Sequence, residues 1–311
     1  MFRNKEYILT VFREGSFSKA AERLYISQPS LSASVKRIEE KLRAPIFDRS
    51  TTPISLTEIG REYVKYAMEI DEKEQDFTRF IEDHVNLLSG TIRIGGSSLF
   101  ASFLLPQMIS DFNKLYPEIC FEISEDSTKN LIQKISDGTL DLVIDNAKIE
   151  QENIISSVYC PEILLLAVPQ DFKVNDALKN FCFSASDIKE KKHINSDKTV
   201  SLKSFKDEPF ILLNPENDTG MRADRLFEKY GITPNVIFHL DQQVTAYNIS
   251  CSQMGISFVS DTLVSHAEGK PPLCFYKLTD SETVRNIFFY TKNNHYLSLA
   301  CRKFLERNIS S

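Results

Sequence analysis

Apolar residues recur at every third or fourth position up to about Leu88, and at every second position or in short unbroken runs through much of the remaining chain. The first pattern predicts helices, the second strands. Tyr7, Ile8, Val11 and Phe12 place a helix over residues 4–14. Residues 16–42, SFSKAAERLYISQPSLSASVKRIEEKL, predict two helices with a tight break between them. Ser16 stands where an N-cap accepts the first free amide protons, and Ala20, Ala21 and Leu24 are small or apolar enough for close helix packing. Ser27 caps the second helix, Pro29 falls in its first turn, and Leu31, Val35, Ile38 and Leu42 form its apolar face. After it, Pro45, Pro53 and a β-branched run predict a small two-stranded wing carrying Arg49. Tryptophan is absent, so Phe12, Phe17 and Phe47 are the expected bulky fillers of this head.

From Thr57 to about Leu88 there is no proline and a single early glycine, Gly60, which predicts one long helix. Its apolar positions, Ile59, Tyr63, Tyr66, Ile70, Phe77, Phe80 and Leu87, form a heptad-like seam that needs a partner helix. That partner is either the same chain or, preferably, a second copy of it. Beyond the Ser89-Gly90 hinge the pattern alternates: strands at TIRIGGSS, ICFEISED, LDLVID, EILLLAVP, PFILLN, NVIFHL, GISFV, LCFYKL and VRNIFFYT, with helices between them. Strands alternating with helices predict an α/β body built on a parallel sheet. Residues 170–208 form a long charged insert, and its KEKKHINSDK run reads as an exposed excursion.

Charge refines the picture. The 311 residues are 42% hydrophobic, enough for two or three domains with their own cores rather than a fragment, and carry a net charge of −6. Residues 1–68 hold a net +4, leaving −10 on the rest, so a basic head precedes an acidic body. The six cysteines, at 120, 160, 182, 251, 274 and 301, make no C-x-x-C pair and read as buried reduced thiols, with no metal site implied. The N-terminus has no long apolar run and no stretch reaches the roughly 20 apolar residues of a membrane span, so no membrane partner and a cytoplasmic location are expected.

The second helix of the pair is the informative one. Alone, residues 16–42 fit two packed helices in any all-α domain as well as they fit a helix-turn-helix. The wing shifts the reading, because Gln28, Ser30, Ser32, Ser34 and Lys36 then form a polar face near the N-terminus of a helix flanked by a phosphate-gripping hairpin. The run FREGSFSKAAERLYISQPSLSASVKRIEEKLRAPIFDRSTTPISLTEIG, Phe12 to Gly60, resembles the DNA-binding domain of the LysR-type transcriptional regulators. The shared features are GSF-x-x-AAE-x-L, SQPS-x-S, IEEKL, P-x-F-x-R and LTE-x-G, all in register.

The resemblance implies a winged helix-turn-helix over 1–58 and a linker and dimerisation helix over 59–89. It implies a two-lobed α/β effector domain over 90–311 that is similar to periplasmic binding proteins of type 2. Lobe I is then expected at about 90–162 and 267–311, and lobe II at about 163–266. It further implies a bacterial homodimer or homotetramer that binds double-stranded DNA, with RNA polymerase as a further candidate partner. No cofactor is implied beyond a small-molecule co-inducer of unknown identity. DNA contacts are expected from Ser27, Gln28, Pro29, Ser30, Ser32, Ala33, Ser34, Lys36, Arg49 and Thr51. Family members often carry arginine where this chain has Ala33, and a second wing arginine where it has Thr51-Thr52-Pro53, so base readout and backbone grip are expected to differ here.

In α/β sheets ligands sit beyond the carboxyl ends of strands, where helix N-termini aim free amides outward. Three such places carry Ser97, Ser98 and Leu99; Ser127 and Thr128; and Asn217 and Thr219, with Asn146 just past LDLVID. Hydroxyls and amides there suit a carboxylate or similarly polar effector, although each equally serves as a simple N-cap. The five histidines are isolated and no nucleophile elbow or H-E-x-x-H occurs, so no catalytic residue is expected. A solute-binding protein is disfavoured by the basic head, and an enzyme by the missing catalytic constellation.

Overall fold

The computed structural model describes residues 2–50, 53–85 and 90–309. Thr51, Leu87 and Ser89 lie outside the described residues. The chain divides into two compact units, Met1–Ile81 and Glu82–Ser311.

The first unit opens with α1 (Lys5–Glu14), α2 (Phe17–Arg23) and α3 (Gln28–Leu42). The Ser16 hydroxyl accepts from the Lys19 amide and the Ser27 hydroxyl from the Ser30 amide, so both serines cap their helices as the sequence predicts. Tyr25 makes the turn between α2 and α3 in a left-handed conformation, φ +54°, with its ring 96% exposed. Strands β1 (Phe47–Asp48) and β2 (Ser55–Leu56) pair antiparallel as the wing. Helix α4 runs from Glu58 to Val85.

The head core joins Ile8, Leu9, Val11, Phe17, Ala20, Ala21, Leu31, Val35 and Ile38 to Ile46 and Phe47 of the wing and Tyr63, Val64 and Ala67 of α4. Two expectations change. Phe12 is 41% exposed and does not fill this core, since Ile8 and Val11 already occupy the face of α1 that meets α2 and α3. Nor does the head stop at residue 58, because the first turns of α4 complete its core. Gly60 allows that approach: a Cβ there would lie 2.0 Å from the Ile46 carbonyl oxygen. Tyr63 is thereby withdrawn from the expected seam, whereas Tyr66 (52% exposed), Phe77 (65%), Phe80 and Ile59 stay on the surface.

The second unit is a nine-stranded mixed sheet with helices packed against it. In chain order its elements are β3 (Gly90–Gly96), α5 (Leu105–Asn113), β4 (Ile119–Glu125), α6 (Thr128–Ser136), β5 (Leu142–Asp145), β6 (Ile154–Pro169), α7 (Val174–Leu178) and α8 (Ala185–Lys189). They continue with β7 (Pro209–Leu213), α9 (Asp218–Tyr230), β8 (Asn235–Leu240), α10 (Gln243–Cys251), β9 (Ile256–Ser260), α11 (Asp261–His266), β10 (Leu273–Lys277), β11 (Val284–Lys292) and α12 (Leu299–Ile309). A π-helical turn, Phe100–Leu104, precedes α5 and widens the backbone just before Pro106, which lacks an amide proton.

The sheet order is β4-β3-β5-β11-β6-β9-β7-β8, with β10 added beside β6. Pairing is parallel within each lobe (β3 with β4 and β5, β7 with β8 and β9) and antiparallel through the middle, which corrects the expectation of a parallel sheet. Strand β6 is shared. Its first part pairs with β11 in lobe I and its last part with β9 and β10 in lobe II. Strand β10 pairs along Leu165–Pro169 at the end of β6.

The KEKKHINSDK run is exposed at eight of its ten positions, as expected, with Ser196 half-buried and His193 only 1% exposed, while the insert around it is packed through the buried Ile188, Val200, Leu202 and Phe205. The Lys277 ammonium donates to the carbonyls of His193, Ile194 and Ser196, which pins the run to β10.

Candidate functional site: a nucleic-acid face and an interlobe cleft

The start of α3 presents Ser27, Gln28, Pro29 and Ser30 to solvent, followed by Ala33 and Lys36, while Ser32 and Ser34 are half-buried. Gln28 donates to the Ser32 hydroxyl at 3.0 Å, a contact that a base edge could replace. Arg37, which carries no signal in the motif, lies exposed on the same helix with its Nε donating to the Ala33 carbonyl at 3.3 Å. Arg49 is held in place. Its Nη2 meets Glu39 at 3.2 Å and its guanidinium lies 4.9 Å above the Phe17 ring. The other Glu39 oxygen accepts the amides of Ile46 and Phe47, so one carboxylate of α3 fixes both the entry to the wing and its arginine.

In the second unit, the expected cleft residues fall into three groups. Ser127 and Asn217 cap α6 and α9, accepting from the amides of Asn130 and Thr219. Ser97 and Ser98 are half-buried after β3, and the Leu99 side chain lies in the hydrophobic core. Thr128, Asn146 and Thr219 join a continuous polar network. The Thr128 hydroxyl donates to Asp145 at 3.0 Å, Asn146 donates to Glu162 at 3.1 Å, and the Thr219 hydroxyl accepts from Arg285 at 3.0 Å and from Gln243 at 3.2 Å.

Arg285 and Glu162, which sequence reasoning does not single out, form the centre of this network. Arg285 Nε donates to Glu162 at 2.6 Å and its Nη1 to Asp218 at 2.8 Å. Asp218 also receives Arg222 at 2.7 Å, and Arg222 reaches the Glu282 carbonyl at 2.6 Å. Burial opposes the Arg285 cation, but Glu162 and Asp218 outweigh it and hold its pKa above the ordinary value. Burial raises the Asp145 carboxyl, only partly countered by the Ala147 amide and the Thr128 hydroxyl. The positive charge is thus already matched by carboxylates. The available signal was a charge at or near the start of each of two apolar runs: Glu162 opening EILLLAVP and Arg285 in VRNIFFYT.

Among the described residues no helix is long and apolar enough to cross a membrane. Residues 2–61 match the pattern of the bacterial regulatory helix-turn-helix proteins of the lysR family, and residues 86–307 that of the LysR substrate binding domain. The uncharacterized HTH-type transcriptional regulator YybE of Bacillus subtilis is 30% identical over 260 residues, 82% of this chain and 81% of that protein. A full-length OxyR variant from Pseudomonas aeruginosa superposes with a TM-score of 0.71 at 20% identity, covering 99% of this chain and 94% of that one. Full-length CbnR complexed with its target DNA gives 0.61 at 17% identity, covering 99% and 98%. Both structures share the fold, and the relatives are transcriptional regulators, not enzymes. The chain belongs to the LysR family of DNA-binding transcriptional regulators and carries that family's substrate-binding effector domain.

Proposed function

We propose that this regulator binds its effector between the two lobes, against the Thr128, Asn146 and Thr219 side chains, and passes the event to a pair of DNA-binding heads. The observation that carries this reading is the position of Arg285. Its guanidinium ties the strand that crosses between lobes, at Glu162, to the N-terminus of lobe II helix α9, at Asp218 and Thr219. A ligand that competes for these hydrogen bonds changes how the lobes are held together, which is the differential contact a two-state response requires.

Two copies pair through the exposed Tyr66, Phe77 and Phe80 face of α4, with a tetramer as the higher assembly. The heads place the start of α3 in adjacent major grooves, Gln28 reading a base edge while Lys36 and Arg49 hold phosphates. DNA binding is supported by CbnR, whose structure was solved on its target DNA. The protein acts in the bacterial cytoplasm, where RNA polymerase is the further partner.

The test is a thermal-shift screen of the full chain with small polar molecules, including hydroxy acids, amides and sugars. A compound that raises the midpoint of the wild type, and does so much less in Asn146→Ala and Thr219→Ala, supports the site. An equal shift in all three proteins places the ligand elsewhere.

A further inference from the structure

Two cysteines stand apart from the other four. Phe183, just before α8, and Phe275, in β10, exchange both backbone hydrogen bonds, at 2.8 and 3.0 Å, as an isolated antiparallel bridge. Side chains alternate across an extended backbone, so the residues preceding each phenylalanine, Cys182 and Cys274, share the opposite face in diagonal positions. Their thiols lie close enough to perturb each other's ionisation, while the Cys182 thiol donates to the Phe183 carbonyl at 3.4 Å. Both are half-buried at the edge of the lobe II core, reachable by a small solute yet packed against fixed neighbours. The neighbouring Cys182 thiol pulls the Cys274 ionisation down to about 7, with the Tyr276 hydroxyl assisting and burial opposing. The same contact, together with burial, holds Cys182 well above an ordinary thiol. A thiolate beside a resolving thiol is the arrangement from which a disulfide forms.

We propose that Cys182 and Cys274 are a redox modification site, closing to a reversible disulfide when the protein meets a peroxide. The Cys274 thiolate attacks one peroxide oxygen. The O–O bond breaks, the departing oxygen takes a proton to leave as water or an alcohol, and Cys274 becomes a sulfenic acid. The Cys182 sulfur then attacks the Cys274 sulfur, the S–O bond breaks, and the hydroxyl leaves as water with the Cys182 proton. The peroxide gains two electrons and each sulfur loses one. A small dithiol reverses the step by exchange. The bond ties the segment that enters α8 covalently to β10, adding a covalent link to the contacts that already hold the insert at 170–208 there.

The test uses the full chain, limiting hydrogen peroxide, an acid quench, alkylation and peptide mapping. The expected result is a single cross-linked peptide joining Cys182 to Cys274, a mass lower by two hydrogen atoms, reversal by dithiothreitol, and full alkylation of Cys120, Cys160, Cys251 and Cys301. In Cys182→Ser the reaction halts at a Cys274 sulfenic acid, which dimedone captures. The alkylation of Cys274 also moves to higher pH in that variant, a change that loss of packing alone would not produce. Oxidation of other cysteines without the cross-linked peptide overturns the proposal, and so does a Cys274 alkylation profile that Cys182→Ser leaves in place.

Discussion

Arg285 and Glu162 are in-register neighbours on β11 and β6, at the place where the chain crosses from one lobe to the other, and their side chains meet at 2.6 Å in full burial. Removing the cation strands two carboxylates, Glu162 and Asp218, away from water. Arg285→Ala should therefore lower stability by about 3–5 kcal/mol in urea unfolding. Glu162→Gln keeps an acceptor for Nε and should cost clearly less. Equal losses for the two would mean that charge pairing is not what holds this junction.

Asp145 gives a pH dependence of definite sign. Burial raises its folded-state pKa, so the stability it contributes is fully present below the unfolded carboxylate pKa and is lost as pH rises through the raised value. Asp145→Asn cannot ionise and keeps an acceptor for the Ala147 amide. The variant should melt above the wild type at neutral pH, and the gap should shrink as the pH falls into the ordinary carboxylate range. A gap that does not vary with pH would rule out ionisation as its cause.

In the head, Gly60→Ala tests the approach of α4 to the wing. A methyl group 2.0 Å from a backbone carbonyl cannot be accommodated by rotating a side chain, so α4 or the Ile46 segment must move. A loss of about 1–3 kcal/mol is expected, read as earlier melting of the head and weaker DNA binding. Retention of both would show that the wing is compliant.

Lys36 and Arg49 should separate. Lys36→Ala should leave stability unchanged, weaken binding to every sequence alike and flatten the salt slope of log K by about 0.9. Arg49→Ala should also remove about 1 kcal/mol of head stability, because Arg49 is paired with Glu39 and stacked on Phe17. Gln28→Ala should instead relax preference at one base pair, measured on a panel of single-site DNA variants.

The exposed face of α4 is tested by Tyr66→Glu combined with Phe77→Glu. Light scattering should report the mass of a single chain, with the helix content of the protein retained. An unchanged assembly would move the pairing surface away from this helix.

The head is the most legible part of the molecule because its signals are local. Ser16, Ser27 and Pro29 mark helix starts within a few residues of the apolar stripes they precede, and LTE-x-G marks the glycine that the Ile46 carbonyl requires. Periodicity misplaces Phe12 because it identifies a face but not which edge of that face meets the neighbouring helices. The first half of β6 gives a weak signal because Ile154–Pro161, IISSVYCP, does not alternate apolar with polar residues and ends in proline, and its partner β11 lies far along the chain. His193 is hidden inside a charged run, although its ring meets Asp261 at 2.9 Å. Of the cleft, the helix-start hydroxyls can be picked out from the sequence. Their joining through Arg285 cannot, since that depends on strand register.

The sharing of β6 limits how this body can be divided. Its sixteen residues are one structural member serving both halves of a continuous sheet. A cut that isolates either lobe leaves half a strand with its backbone donors and acceptors bare, a ready template for aggregation. Fragments intended for ligand work therefore have to retain both lobes, and a proteolytic nick near Glu162 would disable the pair together instead of releasing one intact half.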